Sequence, residues 1–372
     1  MQKPEIALLL STFERPRNLV RSLRSIACQR EVCGKFELVV TDDGSRDETA
    51  EIVRRFAREV DFRVVFTTHE HDGFRLAQCR NEGVAASTAP YLLFLDGDCV
   101  LPPDHIAVHL DRARPGYAAA GNSLRIDREG SERITEEVVA SGEFVAWVPA
   151  SERRRLARFH RKAVFYGLIR HPTRPKLIGN NIGIWREDYE RVNGLNEGFI
   201  GWGCEDDDLR LRLRRVGVRI FPIMKHTCGY HLWHPRVLSM PQRWGEGANV
   251  ELLQRSGRLI RCRRGLRKRT LEDIAIRVLG ASTHPQAANE LFGGRRFTCR
   301  GRPEVEILFS PGEERFSGKA DCNLLLILDD GPDAQRLAKR AHILVSDRGY
   351  PGVPGNLTFP LRRFDKALEA IA

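Results

Sequence analysis

The sequence lacks any apolar run that approaches the length of a membrane-spanning helix. Residues 1–4 also lack the apolar stretch of a secretory signal, so we expect a cytoplasmic protein. The nine cysteines are scattered, odd in number and free of Cys-x-x-Cys pairs, which argues against a disulfide framework and against a cysteine-bound zinc ion. No internal repeat is detectable. These absences favour an ordinary globular protein with reduced thiols.

The composition is that of such a protein, with 42% hydrophobic and 29% charged residues. A length of 372 residues is long for one domain and sufficient for two. The net charge of +11 suits a polyanionic partner: nucleic acid, an anionic membrane face or a phosphorylated glycolipid. Aromatic residues are not interleaved with the basic ones, and no nucleic-acid motif is present, so we expect no nucleic-acid partner.

The first hundred residues alternate between strand and helix patterns. Short apolar runs predict buried strands, and apolar residues at helical spacing predict the helices between them. The predicted strands cover residues 6–10, 36–40, 62–66 and 91–95. The alternation predicts a doubly wound, mainly parallel α/β sheet. Asp42 and Asp96 directly follow two of these strands, where ligands bind in such sheets.

The rest of the chain is less regular. Residues 125–175 have the charge pattern of exposed helices, and residues 177–185 are strand-like but carry two asparagines and two glycines, which suggests close approach to a ligand. Residues 255–269 are strongly basic and mark a linker or helix. Beyond them, strands near 305–309, 323–328 and 343–345 and a helix near 333–341 predict a small α/β unit. We therefore predict domains at 1–254, with halves 1–122 and 123–254, and at 270–372.

Acids and histidines recur in separate segments. Four acids, Glu205 to Asp208, open a helix whose N-terminal dipole stabilises their negative charges. Taken by itself, this acidic run would be explained by a well-capped surface helix. However, Asp96 and Asp98 lie upstream, and His231 and His234 lie downstream. Carboxylates and imidazoles brought together from separate segments are typical of a divalent-metal site that handles phosphate.

Together these motifs resemble a known family. The chain is similar to family-2-type glycosyltransferases of the GT-A fold, a Rossmann-like doubly wound sheet, with a C-terminal motif like that of β-1,4-galactosyltransferases and bacterial chondroitin polymerases. The motifs that carry the resemblance are residues 10–16, 41–45, 73–81, 94–98, 201–206 and 230–231. It does not extend beyond about residue 265, so the C-terminal α/β extension has no predicted role.

The resemblance implies a donor site for a UDP-sugar and a Mn²⁺ or Mg²⁺ ion. Asp98 is the firmer implied metal ligand and Asp96 a donor contact, while His231 resembles the family's imidazole ligand and His234 leaves that assignment open. The alternative for both histidines is aromatic packing. The other implied donor-binding residues are Thr12, Glu14, Asp42, Arg75 and Asn81, with Arg80 as a further phosphate contact. For Asp42 the alternative is a simple capped turn, and for Arg75, Arg80 and Asn81 a solvated helix face.

The resemblance also implies the acceptor side. Asp206 matches the family's catalytic base and Glu205 its acceptor-sugar partner, while Trp202 would provide a stacking surface for a sugar ring. Asp207 and Asp208 are expected to be exposed helix acids.

The predicted function is therefore inverting, metal-dependent transfer of a hexose or N-acetylhexosamine from a UDP-sugar to a carbohydrate or glycolipid acceptor, in bacterial surface polysaccharide or lipopolysaccharide synthesis. A metal-dependent nucleotidyltransferase or phosphohydrolase remains an alternative, as does a basic nucleic-acid-binding module. For the basic segment 255–269 two interpretations stay open. It either docks on an anionic inner-membrane face or is a solvated helix that packs the C-terminal unit.

Overall fold

A computed structural model describes residues 3–235, 247–255, 257–329, 331–348 and 357–371. The chain divides into two compact units, Met1–Val250 and Glu251–Ala372. Among the described helices, none is both long and apolar enough to cross a membrane.

The first unit begins with the alternation of strands and helices that the sequence predicts. Its strands are β1 (Ile6–Thr12), β2 (Phe36–Asp42), β3 (Val64–Thr68), β4 (Tyr91–Asp96), β5 (Cys99–Val100), β6 (Tyr117–Ala120), β7 (Ser123–Arg125), β8 (Asn181–Trp185), β9 (Arg219–Pro222) and β10 (Gly229–His231). Its helices are α1 (Pro16–Ala27), α2 (Thr49–Glu59), α3 (Leu76–Ala86), α4 (His105–Arg112), α5 (Arg128–Arg133), α6 (Glu136–Ser141), α7 (Phe144–Trp147), α8 (Ala150–Leu168), α9 (Arg186–Arg191) and α10 (Glu205–Arg215). The boundary between the units falls within α11 (Ala248–Gln254).

The large sheet of this unit has the order β3-β2-β1-β4-β8-β6-β9 in the described residues. Only β8 runs antiparallel to its neighbours β4 and β6, and the other pairs are parallel. In the register, Thr12 lies beside Asp42, and Ser11 lies beside Asp96. The ends of β1, β2 and β4 therefore bring these polar residues to one edge of the sheet. A small sheet, β5-β10-β7, lies after β4 in the chain and carries His231.

Helices on the sheet explain why its central strands are apolar throughout. Every residue of β1 and β2 is buried, as expected for strands covered on both faces. On α1, Leu19, Leu23 and Ile26 recur at helical spacing and pack in the same core as alternate residues of β1, β2 and β4. This packing holds the polar edge of the sheet on a rigid support.

The predicted strand at 177–185 begins later than its apolar pattern suggests. Only Asn181–Trp185 forms β8, because the backbone N–H of Gly179 donates to the Asp206 side chain (2.7 Å) and not to a neighbouring strand. The segment before β8 therefore serves the site described below.

The second unit contains a parallel sheet with the order β11-β12-β13-β14-β15. Its elements are β11 (Ile276–Leu279), α12 (Pro285–Phe292), β12 (Val305–Ser310), β13 (Cys322–Ile327), α13 (Ala334–Ala338), β14 (Ile343–Val345), β15 (Leu357–Phe359) and α14 (Phe364–Glu369). Alternate residues of β12 and β13 enter two separate cores, one on each face of the sheet. The predicted strands are present, and β11 and β15 add two that the sequence pattern did not indicate.

The basic segment 255–269 forms no helix in its described residues, which exclude Ser256. The helical alternative for this segment is therefore wrong. Leu259 is fully buried in the core of the second unit, and Ile260 is also buried. Arg269 forms a buried ion pair with Glu304 at 2.6 Å. Leu259 and Ile260 are therefore not available to an amphipathic surface, and membrane docking through this segment stays a prediction.

Candidate active site

A left-handed turn precedes the acidic helix. Gly201, Gly203 and Cys204 have φ angles of 82°, 88° and 77°, a region that favours glycine and is uncommon for cysteine. The Asn249 side chain donates to the Gly203 carbonyl (2.9 Å), and the Gly201 N–H donates to the Phe74 carbonyl (2.8 Å). This turn leaves Trp202 half-buried, and α10 begins directly after it, at Glu205.

One buried guanidinium joins the carboxylates of two separate motifs. Arg80 is 1% exposed; its Nη2 donates to Asp96 (3.1 Å) and its Nη1 donates to Asp206 (3.1 Å). Glu205 lies 3.6 Å from the same Nη1. Gly179 packs against this guanidinium so closely that a Cβ there would overlap both terminal nitrogens. Arg80 thus fixes the spacing between the end of β4 and the start of α10, and it does not lie on a solvated helix face.

The two acids that begin α10 hold protons more tightly than free carboxyls do. Burial, together with the nearby charge of Asp206, raises the pKa of Glu205 to about 8. Burial also raises the pKa of Asp206, although Arg80 and the Gly179 N–H act in the opposite direction. Raised carboxyl pKa values of this kind are typical of sites of acid and base chemistry.

Asp207 and Asp208 were expected to be exposed, and that expectation is wrong. Asp207 is buried and forms ion pairs with Lys176 (2.9 Å) and Arg210 (3.3 Å). Asp208 is fully buried and forms an ion pair with Arg212 at 2.7 Å. These pairs compensate the burial of the charges, which would otherwise be costly. Only Asp206, of the three aspartates, keeps substantial side-chain exposure, at 21%.

A second cluster surrounds Asp98. The Nε2 atoms of His231 and His234 lie 3.5 Å and 3.3 Å from its two carboxylate oxygens. Arg15 donates to the same carboxylate at 2.6 Å. Burial alone would raise the pKa of Asp98, but the hydrogen bond with His234 and the charges of His231 and Arg15 outweigh it and lower the pKa. Asp98 is therefore ionised at neutral pH.

The residues around Asp98 fit a divalent metal ion. One ligand atom from each of Asp98, His231 and His234 lies within 4.8 Å of the other two. The Nδ1 of His234 is 2.6 Å from the Pro235 carbonyl, so in the neutral ring that would bind a metal, Nδ1 would hold the proton and Nε2 would be free to bind the ion in place of its contact with Asp98. Such a carbonyl contact commonly orients metal-binding histidines. Both histidines lie beside Asp98, and which of them binds a metal stays a prediction.

In the pocket predicted for the donor base, some polar side chains already have hydrogen-bond partners within the chain. The Asp42 carboxylate accepts from Ser45 and from Thr68 (2.9 Å), so the capped turn considered as an alternative is present. The Thr12 hydroxyl is buried and has no hydrogen-bond partner among the described residues. Glu14 is exposed, with a φ of 44° and its N–H donating to Ser45. Asp42 and Thr12 lie side by side at the sheet edge, as the register requires.

Arg75 and Asn81 already have protein partners. Arg75 forms an ion pair with Asp72. The Asn81 amide donates to Leu195 (2.9 Å) and Glu197 (2.8 Å), while its oxygen accepts from Tyr189 (2.7 Å). Asn81 therefore braces the segment that leads to Gly201, and a direct donor contact by either residue stays a prediction.

Sequence reasoning missed two features of the site. Arg15 lies in the motif of residues 10–16, but nothing in its spacing indicated the contact with Asp98. The pairing of Arg80 with Asp96 and Asp206 spans 126 residues and is visible only in three dimensions. A hint was available in Gly179, since a glycine in an apolar strand pattern often marks close approach by another group.

Comparison with known proteins identifies the class. Residues 8–180 match the family described as Glycosyl transferase family 2, and residues 160–235 match the N-terminal domain of galactosyltransferase. The chain is 30% identical over 369 residues to validoxylamine A glucosyltransferase of Streptomyces hygroscopicus subsp. limoneus, which covers 94% of this chain and 73% of that protein. It therefore belongs to glycosyl transferase family 2, and its first unit has the predicted GT-A arrangement.

Other relatives are matched over less of their length. A protein of the same name from Streptomyces hygroscopicus subsp. jinggangensis is 30% identical over 63% of this chain and 56% of that protein. Chondroitin synthase of Escherichia coli is 25% identical over 67% of this chain and 38% of that protein. The chain thus spans less than two thirds of each of these two proteins.

Proposed function

We propose that this glycosyltransferase moves a hexose or N-acetylhexosamine from a UDP-sugar to a carbohydrate or glycolipid acceptor, with inversion and with a bound Mn²⁺ or Mg²⁺ ion. The observation that carries the proposal is the Arg80 bridge. It holds Asp96, the donor-side carboxylate, within hydrogen-bond reach of the guanidinium that also holds Asp206. The donor-side carboxylate of Asp96 and the acceptor-side carboxylate of Asp206 are thereby held at a fixed spacing. Such a fixed spacing is needed when a sugar is transferred between two bound substrates.

The metal would be held by Asp98, His231 and His234. A divalent ion there would act as a Lewis acid towards the diphosphate of the donor and neutralise the charge that grows as the sugar departs. Asp96 would contact the donor beside it. The lowered pKa of Asp98 supports this assignment, because an ionised carboxylate is the form that binds a metal.

Asp206 would serve as the general base. It is more exposed than Glu205, and each of its oxygens retains acceptor capacity beyond its single contact with Arg80 or Gly179. Its raised pKa improves its strength as a base for an acceptor hydroxyl. Glu205, with a pKa of about 8, is protonated at neutral pH and would donate a hydrogen bond to the acceptor sugar. Trp202 would stack on that sugar.

The uridine would bind at the ends of β1 and β2. Asp42 would accept from the uracil N–H, the unpartnered Thr12 hydroxyl would contact the same nucleoside, and Glu14 would border the pocket. A buried hydrogen-bonding partner of this kind discriminates strongly against bases that lack the matching donor.

The acceptor is a glycan or glycolipid of bacterial surface polysaccharide or lipopolysaccharide synthesis, used at the cytoplasmic side of the inner membrane. The names of the relatives support a glycan or sugar-like acceptor, and two of them are named glucosyltransferases. Family membership argues against both the nucleotidyltransferase or phosphohydrolase alternative and the nucleic-acid-binding alternative.

The test is hydrolysis of a panel of nucleotide sugars with and without Mn²⁺. We expect UDP-sugars to be used preferentially, and Asp98→Ala to abolish turnover while keeping the fold. Asp111→Ala, at a largely exposed aspartate on α4, is the matched control. Full activity of Asp98→Ala, or undiminished activity in chelator, would contradict the metal-dependent mechanism, and equal use of other bases would contradict the uridine assignment.

A further inference from the structure

Helix α8 is the longest described helix and among the most exposed. Of its 19 residues only Leu156 and Ala163 are buried, whereas the 12-residue α1 buries five. Large apolar side chains near its C-terminal end face solvent: Phe165 is 56% exposed, Leu168 77% and Ile169 53%. A cluster of exposed apolar side chains of this size marks an interaction surface.

The outward face of α8 combines these apolar residues with cations. Arg154, Arg158, Arg161, Phe165 and Leu168 follow one another at spacings of four and three residues, so they share one face of the helix. All five are exposed. The first three turns of that face are therefore basic and its last turns are apolar.

The surrounding segment is strongly basic. Residues 153–174 contain no acid, and the nearest is Glu152, which forms an ion pair with Arg155 at 2.8 Å. Within the part of the chain that the structure describes, Arg154, Arg158, Arg161 and Lys162 have no ion-pair partner. The basic residues of the segment are Arg153, Arg154, Arg155, Arg158, Arg161, Lys162, Arg170 and Arg174.

A groove on the same helix is lined by basic side chains and one aromatic ring. It has a volume of about 350 Å³ and is lined by Arg155, Arg158, Phe159 and Lys162. The Arg155 guanidinium lies 5.6 Å from the centre of the Phe159 ring. Arg155 is already paired with Glu152, so Arg158 and Lys162 are the two cations that the groove offers to a phosphate group, and the aromatic ring forms an apolar wall beside them.

We infer that α8 docks this protein on the surface of an anionic lipid bilayer. Phe165, Leu168 and Ile169 enter the boundary between headgroups and acyl chains, and the groove at Arg158 and Lys162 takes a lipid phosphate. A helix that is rich in Arg and Lys and carries Phe and Leu is typical of such interfacial binding. A second copy of this chain is the less suitable occupant, because each copy would bring a basic segment without an acid to compensate the cations of the other.

The surface is connected to the candidate active site. Arg155 donates to the Ser123 carbonyl (2.9 Å), and the Ser123 hydroxyl accepts from Asn180 (2.9 Å), the residue after Gly179. Helix α8 is thus linked, through Ser123 and Asn180, to the segment in which the Gly179 N–H donates to Asp206. The docking itself requires neither donor nor acceptor, so it is tested independently of the proposed reaction.

The experiment is co-sedimentation of the full chain with vesicles of neutral lipid and of neutral lipid mixed with anionic lipid, at physiological salt. We expect binding to the anionic vesicles only. Arg154→Gln, Arg158→Gln and Arg161→Gln together should weaken it about 100-fold, since each basic side chain near an anionic surface contributes roughly a factor of five. Phe165→Ser, Leu168→Ser and Ile169→Ser together should also release the protein.

The matched control neutralises three exposed arginines of the other basic segment, Arg261→Gln, Arg264→Gln and Arg267→Gln. It changes the net charge equally and should keep binding within a few-fold of the parent. Circular dichroism establishes that each variant is folded. The inference is overturned if the parent does not bind anionic vesicles, if the control loses as much binding as the α8 variant, or if the serine variant binds like the parent. Self-association without lipid that the serine variant abolishes would assign the face to a second copy instead.

Discussion

At the scale of single residues, Asp206 differs from its acidic neighbours in what surrounds it. Asp207 and Asp208 are paired with buried cations, and Glu205 is nearly inaccessible, whereas Asp206 receives hydrogen bonds and remains partly exposed. Asp206→Asn is therefore expected to keep nucleotide binding and to lose transfer by roughly 10²–10⁴-fold, the usual scale of general-base catalysis. Nucleotide affinity and turnover are measured on the same sample, with Asp111→Asn as control. Turnover near that of the parent would move the base to Glu205.

Glu205 gives a prediction about stability and pH. An ordinary glutamate has a pKa near 4.5, and in the folded chain the pKa of Glu205 is raised to about 8. Between these values the folded state holds a proton that the unfolded state has released. The stabilisation is thus complete below about pH 4.5 and is lost as the pH rises towards 8.

Thermal unfolding of the parent and of Glu205→Gln from pH 5 to pH 8.5 measures this effect. The parent should lose more stability across the range than the variant, which carries no titrating proton at that position. Parallel curves would show that Glu205 titrates normally in the folded chain.

At the scale of elements, the segment before β8 fixes the position of Arg80. Gly179→Ala would place a methyl group against the guanidinium and push it away from Asp96 and Asp206. We expect a loss of transfer that is large compared with the loss of stability, because a flexible side chain can move while the fold persists. Activity and thermal unfolding are measured together.

Gly167→Ala is the control for this change. Gly167 lies on α8, and a Cβ there would have nothing within 4 Å among the described residues. It should keep full activity and gain stability by about 0.5–1 kcal/mol, as alanine does over glycine in a helix. If Gly179→Ala behaves in the same way, the close approach of Gly179 does not matter for function.

The elements of the first hundred residues were predictable because their strands are apolar throughout and their helices are amphipathic. The helices predicted between these strands form as Pro16–Ala27, Thr49–Glu59 and Leu76–Ala86, and Asp42 and Asp96 end their strands. The edge strands β11 and β15 were missed, since they are short and mostly only partly buried, whereas the equally short β14 is apolar and buried throughout. Burial of Asp207 and Asp208 was also missed, because it depends on cations that lie in the segment before β8 or about one helical turn along α10. The order of the motifs predicted that the acidic residues lie near one another. Only the fold shows that Arg80 is the cation that joins Asp96 to Asp206.

At the scale of the whole molecule, every residue assigned to the candidate site lies in the first unit. A ligand that binds only the folded state stabilises it in proportion to the logarithm of its concentration, by about 2.7 kcal/mol at 100 times the Kd. UDP and Mn²⁺ should therefore stabilise the chain together by more than the sum of their separate effects, because the diphosphate and the metal site at Asp98 share one ion. Differential scanning calorimetry measures each combination. Asp98→Ala should abolish the joint effect, while the variant without ligand should still unfold cooperatively.

If the second unit unfolds in a separate transition, the temperature of that transition should not change when UDP and Mn²⁺ are added. Additive shifts, or stabilisation by an oligonucleotide alone, would contradict a shared nucleotide and metal site.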